Sequence, residues 1–270
     1  MIGKKRKPSK SALPLVLSCA IILMLGCASP VGAFAQSIRV AAAADLQQAL
    51  PDLVQAFRTK YPNARVDAVY GSSGNFVAQI ESGAPFDIFF SADMRYPENL
   101  FTKGLTTSKP RRYGLGKLVL WVGKNSSVKF AADAQHNGLT LLNSPHLRRL
   151  AIANPAHAPY GERAKEALQA SKLWNAVEKR LVLAENVAQA AQFAQTLNVD
   201  AAIISLSLAL SPAMQKAGSY ALIDAKLHKP LEQCAVVLKR SVHLALADEF
   251  LQYICSPEGA AILARYGFSQ

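Results

Sequence analysis

The sequence predicts an α/β protein of two lobes, each a mostly parallel sheet flanked by helices, with two strands joining the lobes. Three observations carry this. Strand-like and helix-like segments alternate from Ser37 onward, the pattern of parallel sheets. Two short apolar segments far apart in sequence, Lys117 to Val122 and Cys234 to Leu238, bracket a second α/β set and read as the joining strands. Removing a 35-residue leader from 270 residues leaves 235, enough for two modest cores.

The leader comes first. Lys4, Lys5, Arg6, Lys7 and Lys10 precede an apolar run from Leu13 to Gly26, and Ala33-Phe34-Ala35 has the small-x-small form of a signal cleavage site. The chain is therefore expected to be exported and to start at Gln36. Lipidation at Gly26-Cys27 and retention as a membrane anchor are the competing readings; Met24, Leu25 and Pro14 count against them. Losing the five basic residues from a net charge of +12 leaves +7. Such a surface suits anionic ligands or headgroups. The charge is spread along the chain and no helix-turn-helix or zinc-finger pattern is present, so nucleic acid is not an expected partner.

Ser37 to Ala43 is apolar and β-prone, a buried strand. A helix is expected to open at Ala44-Asp45, with Leu46, Leu50, Leu53, Val54 and Phe57 on one face and Asp45 with Gln48 as a capping box. Pro51 should loosen its second turn. Then follow a strand from Arg65 to Tyr70, the loop Gly71-Ser72-Ser73-Gly74, a helix from Asn75 to Ser82, a strand from Asp87 to Ser91 and a short helix starting at Pro97. Gly114-Leu115-Gly116, where the chain changes lobes, reads as a hinge. The second set has strands at Leu150 to Ala153, Leu181 to Leu183 and Ala201 to Ser205, with helices from Gly161 to Ser171 and Val187 to Gln195. Two helices end the chain, the last capped by Ser256-Pro257. The implied division is 36–116 with 237–270 as one lobe and 117–236 as the other. Cys234 and Cys255, the two cysteines outside the leader, lie in apolar runs and are expected to stay free.

Several loop-to-helix starts offer uncharged donors. Ala44-Asp45, Ser72-Ser73, Pro159-Tyr160-Gly161 and Asn186-Val187 each open a helix, and Ser205 ends a strand. First-turn N–H groups have no partner within the helix and sit at its positive end, which suits an anion. In open α/β sheets ligands bind outside the carboxyl ends of strands, so two facing lobes would bring these groups to one cleft.

Further residues carry a family resemblance. Val40-Ala41-Ala42-Ala43-Ala44 with Leu46, Gly83-Ala84-Pro85-x-Asp87, Ser91-Ala92-Asp93, Asn154-Pro155-x-His157-x-Pro159-x-Gly161, Ala164-Lys165-Glu166-Ala167-Leu168 and Arg265-Tyr266-Gly267-Phe268 resemble, in one order along the whole mature chain, the molybdate-binding proteins of bacterial ABC importers. The resemblance implies a type II periplasmic-binding fold, a periplasmic location, a tetrahedral oxyanion (molybdate or tungstate) held by neutral donors, and a membrane permease as partner. It implies Ser73 as hydroxyl and amide donor with Ser72 beside it, and Tyr160 and Val187 as backbone donors. Ser205 stands where that family often has tyrosine, and Asp45 where well-known members have serine. Two roles for Asp45 stay open: a helix cap turned away from the ligand, or a proton acceptor for a hydrogen-bearing anion such as hydrogen phosphate. A monomer without cofactor is expected.

An enzyme is the contrasting class. His136, His146, His157, His228 and His243 are scattered, with neither H-E-x-x-H nor G-x-S-x-G. His157, beside a cleft loop, is the one candidate base and is better read as shaping that loop. Neither catalysis nor a cation site is expected.

Overall fold

The computed structural model describes residues 37–130 and 138–270; the predicted leader and Cys27 lie outside them. The first half runs β1 (Ser37–Ala43), α1 (Ala49–Lys60), β2 (Arg65–Gly71), α2 (Ser73–Glu81), β3 (Ile88–Ser91), α3 (Arg95–Thr102), β4 (Arg111–Gly116) and β5 (Leu118–Gly123). It continues with β6 (Leu150–Ala153), α4 (Pro159–Ala170), α5 (Trp174–Val177), β7 (Leu181–Ala184), α6 (Val187–Gln195), β8 (Ala201–Ser205), α7 (Leu206–Ala209), α8 (Pro212–Ala217) and β9 (Gly218–Leu222). The chain ends with β10 (Leu231–Val237), α9 (Leu244–Ile254) and α10 (Pro257–Arg265).

Two five-stranded sheets result, ordered β2-β1-β3-β10-β4 and β7-β6-β8-β5-β9. In each, three strands are parallel and the fourth runs antiparallel. That fourth strand is β10 in the first sheet, which returns from the far end of the chain, and β5 in the second, which directly follows the crossing between lobes. These are the two strands expected to join the lobes. The chain passes from one sheet to the other at Lys117, between β4 and β5, and returns through residues 223–230.

Burial follows position in the sheet. β3, β5, β6 and β8 are buried throughout, whereas edge strand β2 is half-exposed. Two cores sandwich the first sheet, one built on Leu50, Leu53, Phe57 and Phe250, the other on Phe76, Phe86 and Phe89. The second sheet has a core around Trp121, Ile152, Leu168 and Ile203, and this core reaches across to Ala43, Ala44 and Ala92 of the first lobe.

Several local expectations change. The segment after β1 is a 3₁₀ turn, Ala44–Gln47, and α1 starts only at Ala49. Pro51 is thus in the first helical turn, where its missing N–H costs no hydrogen bond, and it does not loosen the helix. No side chain caps either segment, so the Asp45 capping box does not form. Pro97 is the third residue of α3 rather than its first. Gly114 to Gly116 end strand β4 instead of forming a loop hinge. β9 and the short helices α5, α7 and α8 go beyond what periodicity indicated. Leu231 to Val236, assigned by sequence to the second lobe, pair in the first sheet as part of β10. Cys234 and Cys255 are free thiols, and burial pushes the Cys234 thiol far up.

Candidate functional site

Five chain segments meet where the carboxyl ends of β1, β2, β3, β6 and β7 face one another. They line a small cavity of about 10 Å³. The first lobe contributes Ala43 to Asp45, Gly71 to Ser73 and Ala92; the second contributes Ala158 to Tyr160, Asn186 and Val187. Among the described residues lining it none is Lys, Arg or His. A wider groove runs along Leu50, Val54, Arg58 and Tyr70, open to the surface, and another lies between Gln48, Asn186 and Ser211 beside the cavity.

The donors are placed by local structure. Ser72 is the N-cap position of α2 yet makes no capping bond; its Oγ lies 3.0 Å from His157 Nδ1. Ser73 Oγ accepts from the Ala92 N–H at 3.1 Å, which leaves the Ser73 hydroxyl proton free to point elsewhere. Asn186 caps α6, and its Oδ1 takes the N–H groups of Ala188 and Gln189 at 3.0 Å each. Those bonds leave the first amide of the helix, Val187, outside the cap. Tyr160 follows Pro159, the first residue of α4, so its N–H also lacks an intrahelical partner.

Five of the six residues singled out by sequence, Asp45, Ser72, Ser73, Tyr160 and Val187, line the cavity. Ser205 is not among the lining residues: its hydroxyl caps α7 through Leu208 N–H at 3.3 Å and pairs with Ser207 Oγ at 2.9 Å. Ser207 in turn donates to the Asp45 carbonyl at 2.6 Å. A serine is too short to both cap a helix and reach the cavity.

Asp45 is wholly buried, and its Oδ2 accepts from the Tyr160 hydroxyl at 3.0 Å across the lobes. Its Oδ1 has no hydrogen-bond partner among the described residues. Burial raises this carboxyl to about 7, although the bond from Tyr160 pulls the other way. Burial also pushes the hydroxyls of Tyr160 and Tyr113 well up, so both stay protonated.

Around the cavity the lobes are tied together. Gly74 N–H donates to the His157 carbonyl at 2.9 Å, and a Cβ at Gly74 would stand 2.7 Å from that oxygen. Gly116 is equally constrained, a Cβ there falling 2.3 Å from the Tyr160 hydroxyl. Asn75 donates to Glu185, and Arg95 binds both Asp93 and Glu162. Arg163, 2% exposed, donates to Asp93 at 2.7 Å. Burial would raise the Asp93 carboxyl, but bonds from Arg95 and Arg163 outweigh it and hold it below the ordinary range. Sequence reasoning missed Tyr113, Gln233, Ser207 and Arg163. Asp93 and His157 did stand inside quoted motifs, but nothing in their spacing showed that they would meet the other lobe.

The comparisons fit this architecture. The pattern of the family described as bacterial extracellular solute-binding protein matches residues 38–269. This chain belongs to that family. It is 32% identical over 246 residues to the molybdate-binding protein ModA of Azotobacter vinelandii, covering 91% of this chain and 93% of the relative. It is also 32% identical over 250 residues to ModA of Rhodobacter capsulatus, covering 92% and 94%. The solved Azotobacter vinelandii periplasmic molybdate-binding protein superposes with a TM-score of 0.78 at 30% identity, covering 86% of this chain and 99% of that one. Among the described residues of this solute-binding protein no group of His, Cys, Asp or Glu is arranged to hold a metal cation, and no helix is long and apolar enough to cross a membrane.

Proposed function

We propose that this protein captures molybdate, or tungstate, in the cavity between its lobes and hands it to the permease of an ABC importer in the periplasm. One observation carries the reading: a small buried cavity bridges both lobes, its lining has helix-start amides and serine hydroxyls but no cation, and relatives 32% identical over most of the chain are molybdate-binding proteins. Ser73 serves through hydroxyl and amide, Ser72 beside it, and Tyr160 and Val187 through backbone N–H. Donors fixed in a dry site need no reorganisation and gain strength from the low dielectric. Ser205 supports α7 rather than the ligand.

Capture proceeds by closure. The anion is the one body that all these donors share, so it favours the arrangement in which both lobes reach it. The backbone crossings at Lys117 and residues 223–230 are where the lobes turn. Asp45 motivates a second reading, a protonated oxyanion such as hydrogen phosphate with the carboxylate as acceptor.

Calorimetric titration with molybdate, tungstate, sulfate and phosphate separates the readings. Tight binding of molybdate and tungstate with little response to sulfate or phosphate is expected. The reverse ranking moves the assignment to phosphate-like anions.

A further inference from the structure

We propose that the cavity takes its dianion together with one proton, which Asp45 carries: the carboxylate is protonated from solvent as the anion enters, and Asp45 then serves as a neutral O–H donor oriented by Tyr160. This rests on the ligand reading above and extends it to the chemistry of binding.

The geometry leaves Asp45 little choice. Asp45 lines the cavity and is 0% exposed, so water cannot screen its carboxyl from a bound dianion. A carboxylate and a dianion enclosed together repel, and removing two charges from water without a cation is costly. The neutral acid has one O–H to give and fits a cavity lined by donors. Tyr160 donates to Oδ2, so the oxygen without a partner, Oδ1, is the one able to receive the proton.

No neighbouring cation relieves the charge. Tyr160 reaches Asp45 from α4, Tyr113 acts on it from β4, and both are held neutral. β10 presents the uncharged Gln233, and its Cys234 thiol is kept protonated by burial. Ser207 of α7 meets only the backbone carbonyl, and α6 has no ionisable side chain. On β1 and β2, Arg39 is exposed and Arg65 pairs with Asp67 at the surface. On α1, Asp52 is taken by Tyr266 and Arg265. The His157 ring is turned to Ser72. Without ligand Asp45 loses its proton near neutrality, at about 7. A dianion beside it raises that point further, so binding takes up a proton above neutrality and none well below it.

Sodium molybdate is titrated into the purified protein by calorimetry at about pH 5.5, 7 and 8.5, each in two buffers of different ionisation enthalpy. The expected result is uptake approaching one proton at the highest pH and close to none at the lowest. Kd should be flat on the acid side and weaken about tenfold per pH unit above neutrality. Asp45→Asn, which keeps a donor, should flatten that profile. Tyr160→Phe, which removes a bond favouring the charged form, should move the break to higher pH. Molybdate binding without proton uptake and with a flat Kd overturns this inference alone, as does an Asp45→Asn profile identical to wild type. Phosphate bound in preference, with the Asp45→Asn protein losing it, assigns the carboxylate an acceptor role and overturns it too. Absence of molybdate binding at every pH overturns the ligand reading itself. If Asp45→Asn does not fold, the wild-type profile still decides.

Discussion

The two lobes share a plan and divide the work unequally. Each has three parallel strands beside one antiparallel strand, β10 in the first and β5 in the second, and each presents helix starts at the carboxyl ends of its strands. The first lobe brings side chains into the cavity: Ser72, Ser73 and Asp45. The second brings mostly backbone, since Val187 has no polar side chain and the Tyr160 hydroxyl is spent on Asp45. One lobe is therefore open to tuning by substitution, while the other is constrained by its fold. The lobe with the tunable side chains is also the one that carries the buried, uncompensated carboxyl.

That contrast can be broken or sharpened, beginning with the largest effect. Asp45 is raised from 3.8 to about 7 in the folded chain. A raised carboxyl costs nothing below its unfolded value; the cost grows as pH rises and is complete above the folded value. At about 1.4 kcal/mol per unit the shift amounts to roughly 4–5 kcal/mol. Asp45→Asn should therefore be more stable than wild type in ligand-free urea unfolding at about pH 8, with the gain shrinking towards pH 4. A constant difference across that range would mean that the carboxyl is not strained by burial.

Next come the ties between lobes. Arg163→Met removes a buried partner from Asp93, which keeps Arg95. A loss of about 2–3 kcal/mol is expected, below the full cost of orphaning a buried charge. Faster release of molybdate in stopped-flow displacement should accompany it; unchanged release would confine this pair to folding. The smallest effects separate the lobes directly. Ser73→Ala deletes a hydroxyl facing a charged ligand and should weaken molybdate binding by about 1.5–3 kcal/mol. Val187→Ala leaves its backbone donor in place and should change Kd by no more than about threefold. Equal losses from the two would contradict the division between side-chain and backbone donors.

Much of this was legible in the chain because the signals are local. Alternating apolar strands and amphipathic helices announce parallel sheets, and Ser72-Ser73, Pro159-Tyr160 and Asn186-Val187 declare helix starts within a few residues. The errors were non-local. Asp45 with Gln48 has the spacing of a capping box, but a hydrogen bond from Tyr160, 115 residues away, claimed the carboxylate and the cap did not form. β4 and β9 contain little that marks them as strands; they become strands by pairing with β10 and β5.

By itself, then, the sequence determined the two-lobed α/β plan, the order of its main parallel strands and helices, and five of the residues that line the cavity, since each depends on neighbours a few positions apart. Tertiary structure alone decided that Ser205 would cap a helix instead of reaching the cavity, that Arg163 would lock onto Asp93, and that Asp45 would be buried against Tyr160 without a cation. Those outcomes depend on which groups meet across the lobes and how much water is excluded there, and neither is encoded at short range.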